Sequence, residues 1–272
     1  MKRLTVIFAT IGIAAFNSFA QDHGHLNVGA VGINQNDALI FDEGEIFDTA
    51  ANYVKTLVYT NTGAYAGHYV GNITFTGLAA TSGHPAASPN ASALGSWLFA
   101  QLSSVEGPAG GAFAFWEAGA TSPTISVSCG TTGTNVWRLT EANGGPGTDP
   151  YGHIHGRRFS ATRPGVYTVG FRAFDLSTNG ASGGPIHTPS SELKIYFEAG
   201  VNVKGIKPGV DGTRVTFAAP MGKSWMVEAS DALGASANWS PVGTAVTGDD
   251  YFHEITDEQT AAGQRFYRTK GQ

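Results

Sequence analysis

Short runs of alternating apolar and polar residues dominate this chain, and clusters of Gly, Pro, Asn and Ser cut them apart. The clearest run is GVYTVGFRAFD, residues 165–175, where Tyr167, Val169, Phe171 and Ala173 fall on one face and Thr168, Gly170 and Arg172 on the other. Side chains alternate across a strand, so this pattern predicts a strand with one face in a core. YVKTLVYT (53–60), NITFTGL (72–78), GAFAFWE (111–117), TISVSC (124–129), NVWRL (135–139) and ELKIYFEAG (192–200) are rich in β-branched and aromatic residues and read as strands too. Segments such as EANGGPGTDPYG and STNGASGGPIHTPSS supply the backbone angles that turns need. No long amphipathic helix is visible. The pattern predicts an all-β fold, with a larger antiparallel β-sandwich of jelly-roll-like character followed by a smaller β-sandwich.

The pattern also divides the chain. Residues 1–20 hold a basic start, Lys2 and Arg3, then an apolar run ending at Ser18-Phe19-Ala20. This reads as a signal peptide cleaved after Ala20, and the apolar run is too short for a spanning helix. No later run is long and apolar enough to cross a membrane, and no lipid or wall-sorting signal is visible at the C-terminal end. The chain is therefore expected to be exported, to the periplasm, the cell surface or the medium. A boundary is expected near residues 199–201, giving a larger domain over 21–200 and a small one over 201–272. TRVTFAAP, SWMVEAS, WSPVG, DYFHEI and QRFYRTK would be the strands of the small one, with Trp225, Trp239, Phe252, Phe266 and Tyr267 furnishing its core.

Charge and cysteine content narrow the function. Formal net charge is −5, charged residues make up only 14%, and removing the leader makes the remainder more negative by two charges. No basic stripe is present, so nucleic acid is not an expected partner. Cys129 is the only cysteine and cannot form an internal disulfide; in TISVSC it reads as a small buried hydrophobe.

Histidine is where the candidate chemistry lies. Seven of the eight histidines fall in the larger unit, and two H-x-H pairs stand out: His23 and His25 in QDHGHLNVG, and His153 and His155 in YGHIHGRRF. Residues i and i+2 of a strand point to one side, about 6–7 Å apart, so two imidazoles so placed can converge on one ion. Zinc wants four ligands, and two pairs from different strands could supply them. Gly152 and Gly156 flank the downstream pair and permit another segment to approach closely. Ile154 would face away into apolar packing. Arg157 and Arg158 would add unfavourable charge beside a metal, so one of them is expected to pair with Asp149, Glu117 or Asp175. His187, in GGPIHTPSS, is a candidate further ligand. His68 and His253 read as structural, and His84 as a loop residue. If cleavage follows Ala20, the new terminus Gln21-Asp22-His23 offers a square-planar nitrogen set suited to Cu(II) or Ni(II). No H-E-x-x-H, P-loop, dinucleotide fingerprint or nucleophile elbow is present.

HGHLNVGA, GSWLFAQL, GPAGGAFAFWE and GHIHGRRFSATRPGVYTVGFRAFD, in that order, resemble the blocks of the choice-of-anchor M domain family. In that family a His-x-His segment precedes a Phe and a Pro-Gly-x-Tyr strand; here these are His153, His155, Phe159, Pro164, Gly165 and Tyr167. The resemblance covers residues 21–200 and is strongest for His25, His153 and His155. Family members are exported or surface-attached bacterial proteins, some encoded with metal-type ABC transport systems, which implies metal capture or handling. MVEASDALGASANWSPVG and QRFYRTK resemble a small β-sandwich appended to exported proteins of Verrucomicrobia-like bacteria, which implies attachment or spacing.

Together these readings give an exported protein that binds zinc or copper at the cell envelope. His25, His153 and His155 would be the core ligands, completed by His23 or His187, with Arg157, Asp149 and Glu117 around them. Imidazole enrichment favours zinc or copper over calcium. Ligands must be neutral, so affinity should fall as pH drops through the imidazole range near 6.5. The partner is a transition-metal ion, with envelope components or a metal transporter further on. The alternatives are a structural or adhesive surface module with no metal, and a metal-dependent hydrolase or oxidase, since a metal with an open position activates water.

Overall fold

A computed structural model describes residues 25–83, 85–200, 202–259 and 263–272. The expected leader, His23 with the N-terminal copper motif, and His84 all lie outside the described residues. The described residues are all-β, with twenty strands and four short 3₁₀ turns and no α-helix.

The first fourteen strands build the larger part. They are β1 (His25–Ala30), β2 (Leu39–Asp42), β3 (Val54–Thr60), β4 (His68–Gly71), β5 (Thr74–Gly77), β6 (Leu98–Glu106) and β7 (Ala112–Trp116), then β8 (Ile125–Ser128), β9 (Thr131–Thr132), β10 (Val136–Arg138), β11 (Gly152–His153), β12 (Arg158–Ala161), β13 (Gly165–Asp175) and β14 (Leu193–Ala199). They form a four-stranded sheet, β11-β5-β1-β2, and a ten-stranded one, β10-β6-β13-β14-β3-β4-β12-β7-β8, with β9 paired to β6. Two ladders, β1 with β5 and β3 with β14, are parallel and the rest antiparallel. The parallel pairs depart from the wholly antiparallel sandwich expected, because each needs a crossover rather than a hairpin.

β13 shows why these residues form these strands. Tyr167, Val169, Phe171 and Ala173 are fully buried, while Arg172 is exposed. Burying a Phe such as Phe171 contributes about 1.5–3 kcal/mol. Phe75 of the small sheet packs on Phe159 and Phe171 of the large one, with ring centroids 5.7 and 5.0 Å apart, so the two sheets share one core. Phe115 of β7 stacks on Trp137 of β10 at 4.4 Å. Those strands lie near opposite ends of the large sheet, which therefore curls until its ends meet, as strand twist favours.

The remaining six strands are β15 (Val203–Gly209), β16 (Gly212–Ala219), β17 (Ser224–Ser230), β18 (Ser240–Thr247), β19 (Tyr251–Asp257) and β20 (Phe266–Gly271). They form two three-stranded sheets, β15-β16-β19 and β18-β17-β20. The buried core between them is Val215, Phe217, Ala219, Val227, Ala229 and Val242. Of the aromatic residues expected there, some pack against this core and others take other places. Trp225 and Tyr267 flank the core, and the Trp239 ring carries the Arg268 guanidinium. Phe252 turns the other way and joins Val54 and Ala218 in a cluster against the larger part. Backbone bonds Val54 N–H to Asp250 O and Phe252 N–H to Asn52 O (2.8 and 3.0 Å) hold that contact.

Candidate functional site

The four-stranded sheet has one face in the core and one facing outward. Leu26, Val28 and Phe75 point inward and are buried. Alternation then places His25 and Asn27 of β1, Thr74 and Thr76 of β5, and His153 of β11 on the outer face. Register makes this a polar row across all four strands: Asp42 opposes Asn27, Asn27 opposes Thr76, and Thr76 opposes His153. His25 opposes Thr74, one pleat along.

Two histidines distant in sequence thus meet over β5. The rings of His25 and His153 lie 4.8 Å apart, edge to face, and those of His153 and His155 lie 4.3 Å apart. The Thr76 hydroxyl stands 3.5 Å from His25 Nδ1. The geometry of the downstream pair differs from a strand pair, because β11 ends at His153 and His155 sits in the following turn, closed by Gly156 at φ +84°. Among the described residues, no group of three or more His, Cys, Asp or Glu is set to hold a metal ion. The three rings are neighbours, but stacked side against edge.

Gly152 is what lets β11 enter the site. A Cβ there would collide with the Leu139 carbonyl and with Thr140 Cα, so only glycine fits where these backbones cross. Gly156 instead serves the turn's left-handed backbone.

Carboxylates frame the cluster. Glu117 grips Arg157 with both oxygens, Nε to Oε1 at 2.6 Å and Nη2 to Oε2 at 2.9 Å. Burial pushes the Glu117 carboxyl up, but the Arg157 hydrogen bond, the Ala118 N–H and the Arg157 and Arg138 charges outweigh it, and the net shift is down. A fork-to-fork pair of this kind fixes orientation as well as charge, so Arg157 carries no uncompensated charge toward the histidines. Asp149 plays a different part from the one expected. Its carboxylate accepts the N–H groups of Ala80, Thr81 and Tyr151 and the Thr81 hydroxyl, tying two loops together three residues before β11. Burial raises its carboxyl and those four donors more than offset this, leaving it below the usual range.

Glu141 was not among the residues singled out by the sequence. Its Oε1 accepts the His153 N–H at 3.1 Å, and its own N–H donates to Tyr151 O. Burial, and then the Glu141 charge, push the Tyr151 phenol up. The Gly-rich stretch 143–147 folds Glu141 back onto β11, and spacing along the chain gives no sign of that closure.

His187 does not join the cluster. It is 2% exposed, its Nε2 accepts the Ala93 N–H at 2.9 Å, and its Nδ1 donates to Asp37 O at 3.0 Å. Both ring nitrogens serve the backbone, at the end of the β1–β2 ladder away from His25. The expectation that His187 completes a metal site is therefore corrected: no nitrogen is left to ligate. His68 packs its ring on Trp116 and bonds Ala66 O, and His253 bonds Asp249, as structural histidines do. Cys129 is half-buried against the core, and burial pushes its thiol up.

Compared with known protein families, curated proteins and solved structures, the chain finds no match, so the resemblance to the choice-of-anchor M family rests on the residue blocks quoted above.

Proposed function

We propose that this is an exported protein that binds a transition-metal ion, zinc or copper, through His25, His153 and His155. The observation that carries the reading is that these three imidazoles are neighbours although His25 lies far in sequence from His153 and His155. Imidazole suits zinc and copper, and three such donors with a fourth ligand would make a four-coordinate site. His25 and His155 are exposed. Glu141, whose carboxylate accepts the His153 N–H, is the residue assigned the fourth place. The role that follows is capture or presentation of metal at the cell envelope.

Untagged protein, dialysed against Zn(II) or Cu(II) and then against buffer, should retain about one equivalent of metal. His153→Ala, which removes the central ring, should retain almost none. Retention of less than roughly a tenth of an equivalent by the wild-type protein would overturn the reading and leave a structural or adhesive surface module in its place.

A further inference from the structure

A cavity of about 500 Å³ opens beside the histidines, where the chain crosses twice between the two sheets. Residues 72–73 link β4 to β5 and residues 154–157 link β11 to β12, and the two crossovers form its walls. Its floor is the aromatic core, with Phe75, Phe115, Trp137 and Phe159. Its polar lining is one-sided: Lys55, Arg157 and Arg158 contribute three cations, and no carboxylate lines it. Glu117 neutralises one of the three, Arg157, from outside.

Two donors on residues that line it, the indole Nε1–H of Trp137 and Nη1 of Arg157, have no hydrogen-bond partner among the described residues but are buried beneath its accessible surface. A buried donor without an acceptor costs about 1–3 kcal/mol, and more when charged. Cations over an aromatic floor select a ligand that brings negative charge and an apolar body together. The volume falls within the roughly 300–1,000 Å³ of small-molecule sites.

We propose that this cavity binds a small amphipathic monocarboxylate, its carboxylate toward Lys55 and Arg158 and its body against Phe75 and Trp137. The site shares His155 with the histidine cluster but needs no metal.

The test is calorimetric titration of the full exported chain in excess chelator with three probes: 4-phenylbutyrate, its neutral amide 4-phenylbutanamide, and inorganic phosphate. 4-Phenylbutyrate should bind saturably at one site, the amide at least about tenfold more weakly, and phosphate without saturation. Lys55→Gln should weaken 4-phenylbutyrate by about fivefold or more while leaving the near-UV circular dichroism and the unfolding midpoint unchanged. Equal binding of acid and amide, saturable binding of phosphate, no binding of the acid, or an unaltered affinity in a folded Lys55→Gln protein would each overturn the proposal. Because chelator is present throughout, failure here is separate from failure of the metal reading.

Discussion

Two histidine sites flank the same small sheet, and they are opposites. At one end, His187 is buried with both ring nitrogens bonded to backbone, Ala93 N–H on one side and Asp37 O on the other. At the other end, the rings of His25, His153 and His155 pack against one another, edge to face and tilted, two of them exposed. Each lies next to glycine-rich turns and each resembles a ligand in the sequence. What separates them is the use to which the nitrogens are put. A buried imidazole must satisfy its polar atoms locally, so His187 is spent on joining three loops. His25 and His155, by contrast, are exposed to solvent, and the proposed function rests on that access.

The largest expected effect tests the buried side of this contrast. His187→Ala leaves the Ala93 N–H and the Asp37 carbonyl without their partner, and should lower unfolding free energy by roughly 2–4 kcal/mol in urea titrations. Metal retention by the protein that remains folded should be unchanged. Next comes Gly152→Ala, where the added methyl meets the Leu139 carbonyl. It should cost about 1–3 kcal/mol and, by shifting β11, also weaken metal retention. His153→Ala reverses the balance found at His187: stability should move by no more than about 1 kcal/mol, while metal retention is lost.

The smallest effect concerns Glu117. Its carboxyl titrates lower in the folded protein than its ordinary value of 4.5, chiefly through Arg157 working against burial. The pair therefore adds stability above about pH 4.5 that is lost as pH falls through the lowered value. The carboxylate side chain is 40% exposed, so the contribution should stay under about 1 kcal/mol. Urea titrations of wild type and Glu117→Gln should differ at neutral pH and converge under acid.

Much of the fold was legible because it rests on period-two alternation. Residues 165–175 form the strand that their pattern predicts, and SWMVEAS does the same as β17. β11 has two residues and no alternation to display, so the strand geometry expected of the pair reaches only as far as His153. In the small unit, Trp225 and Tyr267 pack against the core as expected but Phe252 does not, because alternation assigns a side chain to a face but not to a neighbour: Phe252 faces the larger part. At the site, the H-x-H spacing marked His153 and His155, and the second motif marked His25. Glu141 and the backbone partners of His187 escaped notice, since both depend on loops that close over long stretches of chain and carry no periodic signal.

The most direct test of the contrast follows the imidazole nitrogens by ¹⁵N-edited NMR as Zn(II) is added to untagged protein. The account predicts that the signals of His25, His153 and His155 shift together and stop changing near one equivalent, while those of His187 stay fixed. Unmoved signals from the three clustered rings, or a shift at His187 in their place, would contradict it.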